Sequence, residues 1–169
     1  MKTRFAFIPI TLLLILLNLH TTAQNNFKTS IGIGLFELIN LGFDYHFKQS
    51  EAGLSIGTWP TELNGLSLTC NYYYHFAGKS RFSEVRPWFV RAGINMLRYK
   101  YTYSIDYDYC ATLRVGREFN FSNKIGVGID AGASYLFYRY SKKLGENPFP
   151  TGNILFFLPN GSFKLFYRF

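Results

Sequence analysis

From residue 28 onward the chain alternates oily side chains with small, polar or charged ones. A period of two is the mark of a strand whose two faces meet different surroundings. Eight such segments are predicted, at roughly Lys28–Phe36, Asn40–Phe47, Ala52–Trp59, Leu66–Phe76, Arg86–Tyr99, Tyr107–Glu118, Ile125–Tyr140 and Ser162–Phe169. No segment after the first two dozen residues has helical periodicity. The faces are clear. In the fourth segment Leu66, Leu68, Cys70, Tyr72, Tyr74 and Phe76 oppose Ser67, Thr69, Asn71, Tyr73 and His75. In the seventh, Ile125, Val127, Ile129, Ala131, Ala133, Tyr135 and Phe137 oppose Gly126, Gly128, Asp130, Gly132 and Ser134. The segment lengths suit a tilted strand crossing a bilayer.

Alternation alone does not say which face looks outward. A soluble barrel or sandwich buries the apolar face, whereas a membrane barrel turns it to lipid and fills its lumen with polar groups. Three features favour the second arrangement. The polar faces carry Gly, Ser, Thr and Asn with isolated charges, as a narrow interior requires, rather than runs of Lys and Glu. Aromatic residues gather towards segment ends, at Trp59, Trp88, Tyr99, Tyr101, Tyr103, Tyr107, Tyr138, Tyr140, Tyr167 and Phe169, where rings with polar tips mark lipid–water boundaries. A chain with no spanning helix also satisfies its backbone in lipid only by closing into a barrel. The expected fold is therefore all-β: an eight-stranded antiparallel up-and-down transmembrane β-barrel.

The N-terminus changes the picture of where this barrel works. Lys2 and Arg4 precede an apolar run from Phe5 to Leu17, and a polar stretch with small Thr21 and Ala23 follows. This is the layout of a secretory signal peptide cleaved before Gln24. The run is shorter than the ~20 residues that cross a bilayer as a helix. Residues 1–23 are thus assigned to the leader and 24–169 to one barrel domain. No Cys lies near the cut to carry a lipid anchor. Export makes a Cys70–Cys110 bridge chemically possible, but the two fall on opposite faces and are expected to remain apart.

The net charge of +8 comes from residues scattered among tyrosines, with no basic patch. That distribution argues against nucleic acid and for anionic lipid headgroups, including lipopolysaccharide. Aromatic residues make up 20% of the chain, an excess for a soluble domain that the lipid-facing reading absorbs.

The last residues, Phe163-Lys164-Leu165-Phe166-Tyr167-Arg168-Phe169, resemble the C-terminal strand of bacterial outer-membrane barrels, which typically ends in Phe with apolar residues at alternating positions before it. Phe163, Leu165, Tyr167 and Phe169 fit that register. The resemblance implies recognition by the barrel-assembly machinery. Over residues 27–169 the chain resembles the small eight-stranded OmpA- and OmpX-type barrels, which implies both termini in the periplasm. Connections near 37–39, 60–65, 100–106 and 141–161 would then face outside, and those near 48–51, 77–85 and 119–124 inside. Ile154–Leu158 could belong to the long outer loop or start the last strand early, through Pro159-Asn160-Gly161.

The lumen-facing charged set is Asp44, His46, Arg91, Arg114, Glu118, Asp130 and Lys164, expected to form an ion-pair network that plugs the barrel. A catalytic reading would enlist His46 or His75 with Ser55 or Ser67, but no spacing marks a nucleophile. No paired-His or multi-Cys metal spacing and no phosphate loop is present, so no cofactor or metal is expected. The leading functional expectation is a non-enzymatic outer-membrane barrel with a structural, adhesive or surface-interaction role. The alternatives are a lipid-modifying enzyme on the same fold and a secreted soluble barrel carrying a small apolar ligand.

Overall fold

A computed structural model describes residues 26–58, 65–143 and 156–169. The proposed leader and its cleavage site lie outside these residues, as do Trp59 and most of the 141–161 connection. The described residues form eight strands: β1 Phe27–Gly34, β2 Leu38–Phe47, β3 Ser50–Thr58, β4 Gly65–Ala77, β5 Trp88–Lys100, β6 Ser104–Asn120, β7 Ile125–Lys143 and β8 Phe156–Arg168. Each pairs antiparallel with its sequence neighbour, and β1 pairs with β8 to close a barrel in up-and-down order. Closure leaves no free sheet edge along the joined length. Among the described residues no helix is long and apolar enough to cross a membrane.

The alternation sorts as an inverted protein. Outward stand Ile31, Ile33, Leu41, Phe43, Leu54, Ile56, Leu68, Ile94, Leu113, Val115, Ile129 and Leu165, all exposed. Inward stand mostly polar and charged residues, with Arg91, Asn95, Thr69, His75 and Glu51 wholly buried. Cys70 faces out and Cys110 in, and both are free thiols. A soluble domain buries apolar groups and exposes polar ones; here the two are exchanged.

Two β-bulges adjust the facing. On β7, Tyr138 pairs with Tyr109 while Leu136 pairs with Cys110, so Phe137 is the extra residue. Phe137 and Tyr138 consequently both face outward, and the alternation resumes with Arg139 turned in towards Asp108. On β4 a second bulge at Phe76 lies between the His75–Phe89 and Ala77–Trp88 pairs.

Connections differ at the two ends. At the end carrying Phe27 and Arg168, Lys48 and Gln49 form a two-residue hairpin, with Lys48 at φ 59°. The longer segment 78–87 folds across this end: Gln49 Nε2 donates to the Glu84 carbonyl (3.2 Å), the Arg86 amide donates to Gln49 Oε1 (3.1 Å), and the Glu118 amide donates to the Pro87 carbonyl (2.8 Å). Its length, unusual for a turn at the terminal end, is thereby used as a floor. At the other end the β1–β2 hairpin is low, and Leu38 takes φ 60° to turn the chain inward. A Cβ on Gly57 would stand 1.9 Å from the Glu37 carbonyl oxygen, so only glycine lets the hairpin tip lean over β3.

β8 begins at Phe156, resolving the ambiguity of its start in favour of the longer strand. Pro159 pairs with Ala133 on β7 only, because β1 has already ended at the Gly34–Ser162 pair. A residue without an N–H is tolerated where one side of the ladder is vacant.

Candidate functional site

Among the described residues, chemistry-bearing side chains converge in the lumen. Its centre is a lattice of ion pairs. Asp130 on β7 receives Arg91 Nη1 at 2.9 Å and Arg114 Nη1 at 3.2 Å. Glu37, reaching in from the β1–β2 hairpin, accepts bonds from Arg91 Nη2 and, at 2.7 Å, from Arg114 Nη2. Lys164 Nζ lies 3.6 Å from the other Glu37 oxygen. Arg91 Nε donates to Asn71 Oδ1 at 2.9 Å, and the Ser162 hydroxyl donates to Asp130 at 2.9 Å. Two carboxylates thus face three cations, all buried. Isolated charges in such surroundings are very costly, and mutual pairing is what makes burial tolerable.

A second cluster lies towards the floor. Lys28 bonds Glu51 Oε2, lies 3.1 Å from Glu118 Oε1 and 3.9 Å from Asp44 Oδ2. Arg168 bonds the other Glu118 oxygen. Here three acids face two cations. His46 Nδ1 and His75 Nε2 stand 3.6 and 3.5 Å from Glu51 Oε1. A Cβ on Gly53 would stand 1.9 Å from Asp44 Oδ1, so glycine makes room for that carboxylate on the neighbouring strand. Between the clusters Tyr73 and Phe89 pack edge to face at 5.5 Å, and Arg91 sits over the Tyr73 ring at 5.1 Å.

Towards the loop end, Asn95 Nδ2 donates to Ser67 Oγ (2.8 Å) and Ser67 Oγ donates to the Phe36 carbonyl (3.0 Å), while Asn160 Nδ2 donates to Ser134 Oγ (2.7 Å). Arg139 grips Asp108 with two bonds of 2.6 Å. The cavity lined by Lys28, Asp44, Tyr73, Phe89 and Lys164 has a volume of about 20 Å³, room for a single water.

All six charges assigned to the polar network (Asp44, Arg91, Arg114, Glu118, Asp130 and Lys164) are buried in the lumen. The fold divides them: Arg91, Arg114, Asp130 and Lys164 in the central lattice, Asp44 and Glu118 in the floor cluster. Sequence reasoning missed Glu37, Lys28, Glu51 and Arg168. Glu37 and Glu51 sat in predicted connections, where charge is expected to meet water. Lys28 lies at a strand start, where alternation gives too few residues to fix a face. Arg168 shares the parity of Lys164, so alternation does place it on the polar face, but parity alone does not show that it joins the network.

The triad residues weighed from sequence do not assemble. Ser67 precedes His75 by eight residues on β4, roughly 26 Å along an extended strand, and Ser67 is engaged with Asn95 and Phe36. Ser55 is four residues from Glu51 on β3, about 13 Å away along the strand. Phe163, Leu165 and Tyr167 line the outer face of β8. The Phe169 amide donates to the Phe27 carbonyl at 3.0 Å, and its ring meets Tyr167 at 5.1 Å.

In comparison with known proteins, no family model, no curated protein and no solved structure matches this chain.

Proposed function

We propose that this chain is an exported protein that spans a bacterial outer membrane as a sealed, non-enzymatic barrel with a structural, adhesive or surface-interaction role. One observation carries the reading: the exterior of a closed barrel is apolar around its waist while its interior is charged and filled. Water would penalise that exterior heavily, whereas lipid tails match it.

The aromatic positions support the same placement. Outer rings near the terminal end include Phe27 against Tyr45 at 5.1 Å and Tyr45 against Phe47 at 6.4 Å. Arg117 lies over both Trp88 (5.4 Å) and Phe119 (5.0 Å), its charge carried to the edge of the apolar zone. Near the loop end Tyr107 meets Tyr140 at 6.2 Å and Tyr109 meets Tyr138 at 5.7 Å. Tyr109 and Phe119 are ten residues apart on β6, roughly 33 Å along the strand and about 25 Å along the axis at a tilt near 40°. That matches the height of an outer-membrane apolar band.

A filled lumen suits an anchor or a surface platform better than a conduit, and the cavity of about 20 Å³ among its described residues is too small for an apolar cargo. The partners in this reading are outer-membrane lipid and lipopolysaccharide, with the barrel-assembly machinery acting on a last strand of the OmpA- and OmpX-like type. Membrane fractionation coupled to gel migration before and after boiling tests it. The expected result is a detergent-requiring, outer-membrane species that migrates faster when unboiled; a monodisperse protein in plain buffer overturns it.

A further inference from the structure

The floor cluster has features that ion pairing leaves unexplained. Glu51 Oε1, His75 Nε2 and His46 Nδ1 are buried atoms without a hydrogen-bond partner. Both ring nitrogens approach the same carboxylate oxygen, at 3.5 and 3.6 Å. These separations are long for hydrogen bonds. They are close to the spacing of about 3.4 Å between neighbouring ligand atoms that share a tetrahedral ion at roughly 2.0–2.1 Å.

The tautomer of His75 points the same way. Its Nδ1 lies 2.7 Å from the Arg86 carbonyl, which can only accept, so Nδ1 carries the hydrogen. In the neutral ring Nε2 is then a bare lone pair, aimed at Glu51 inside a fully buried site. A ligating imidazole held by a backbone carbonyl through its other nitrogen is the usual supporting arrangement of metal sites. Glu118 adds a carboxylate, and one ligand atom each from Glu51, His75 and Glu118 lie within 4.8 Å of one another.

The ion pairs leave one atom of this set open. Lys28 occupies Glu51 Oε2, so it is the opposite oxygen, Oε1, that remains for another cation.

We infer that the barrel floor binds a divalent transition-metal ion of the zinc type, held by Glu51 Oε1 and His75 Nε2, with Glu118, whose oxygens also accept bonds from Lys28 and Arg168, as the third protein ligand. Imidazole and carboxylate together select such an ion over magnesium or calcium, which prefer all-oxygen shells. The ion ties β3 and β4 to β6 across the lumen, directly above the 78–87 floor. Its role is structural, as a cross-barrel staple that tightens the terminal end.

The test uses the untagged protein folded in detergent micelles, stripped with a chelator and titrated with Co²⁺ or Zn²⁺. One equivalent of Co²⁺ with visible d–d absorption, displaced by Zn²⁺, is expected, together with a rise in thermal unfolding temperature that chelator reverses. His75→Ala and Glu51→Gln should abolish the stoichiometric signal, and Glu118→Gln should weaken binding about tenfold or more. X-ray absorption of the zinc-loaded wild type should show imidazole scattering, a readout that needs no variant to fold. Absence of saturable binding by the wild type overturns the inference. So does unchanged binding in folded His75→Ala, or a stability that responds to pH but not to metal, which would mean a proton alone settles the histidines.

Discussion

Glu37 lies at the tip of the β1–β2 hairpin, yet its carboxylate is bonded to Arg91 on β5, across the lumen. The contact turns a surface-type connection into an inward strut. Arg114 shares the same oxygen, so Glu37 is the acid on which two guanidinium groups depend.

Removing that acid should be among the most damaging single changes. Glu37→Ala removes the acid that Arg91, Arg114 and Lys164 share, and breaking a buried pair from one side costs about 3–5 kcal/mol. Urea unfolding followed by Trp fluorescence in micelles should show that loss. A double-mutant cycle with Arg91→Met should recover part of it, since the partner charge is removed as well. A cost within the surface range of ±0.5 kcal/mol would contradict the strut.

The outer face gives the converse experiment. Leu113 is 61% exposed at the barrel waist. Leu113→Arg should destabilise the membrane-inserted state by about 2–4 kcal/mol, whereas Leu113→Phe should be near neutral. Reversible unfolding from lipid vesicles measures both, and equal stabilities would reject the lipid-facing assignment.

The thiols report facing without any loss of stability. Cys70 looks out from β4 and Cys110 into the lumen, with no bridge between them. In vesicles neither should react with a charged, membrane-impermeant maleimide until the protein is unfolded. Gel migration should not change with reductant. Rapid labelling of Cys70 by the charged reagent would place that face in water.

Packing inside the wall is equally specific. A Cβ on Gly116 would stand 2.4 Å from the Phe89 ring and 2.6 Å from the Ile129 carbonyl. Gly116→Val should therefore cost about 1–3 kcal/mol through overpacking, and Phe89→Leu in the same chain should return part of it. At the terminal end Lys48 holds φ 59° as an exposed non-glycine residue, so Lys48→Gly should stabilise by up to about 1 kcal/mol.

Most of the wall was legible in the sequence because alternation is a backbone property with a strict period. Segments such as Leu66–Phe76 declared both their length and their facing. The loss came where the period breaks. Phe137 and Tyr138 both face outward because a bulge intervenes, and nothing in the local composition announces one. The polar network was half legible: Asp130 and Arg114 sit mid-strand, where parity fixes their direction. Glu37 and Glu51 depended on how short the hairpins are, which is decided by tertiary fit. The pairing of His46 with His75 around Glu51 was not legible, since β2, β3 and β4 bring together residues with no regular spacing.

The charged interior also dictates how such a wall can form. Lys28, Glu51 and Glu118 belong to β1, β3 and β6, and the central lattice draws on β5 to β8 and a hairpin. Strands β5 to β7 alone can pair Arg91 and Arg114 with Asp130, but Glu37 joins them only from the β1–β2 hairpin, so an arc not yet closed leaves part of this charge uncompensated. For a barrel that inserts as proposed, seam formation between first and last strands is then expected to coincide with insertion, and inserted but unsealed intermediates should be rare.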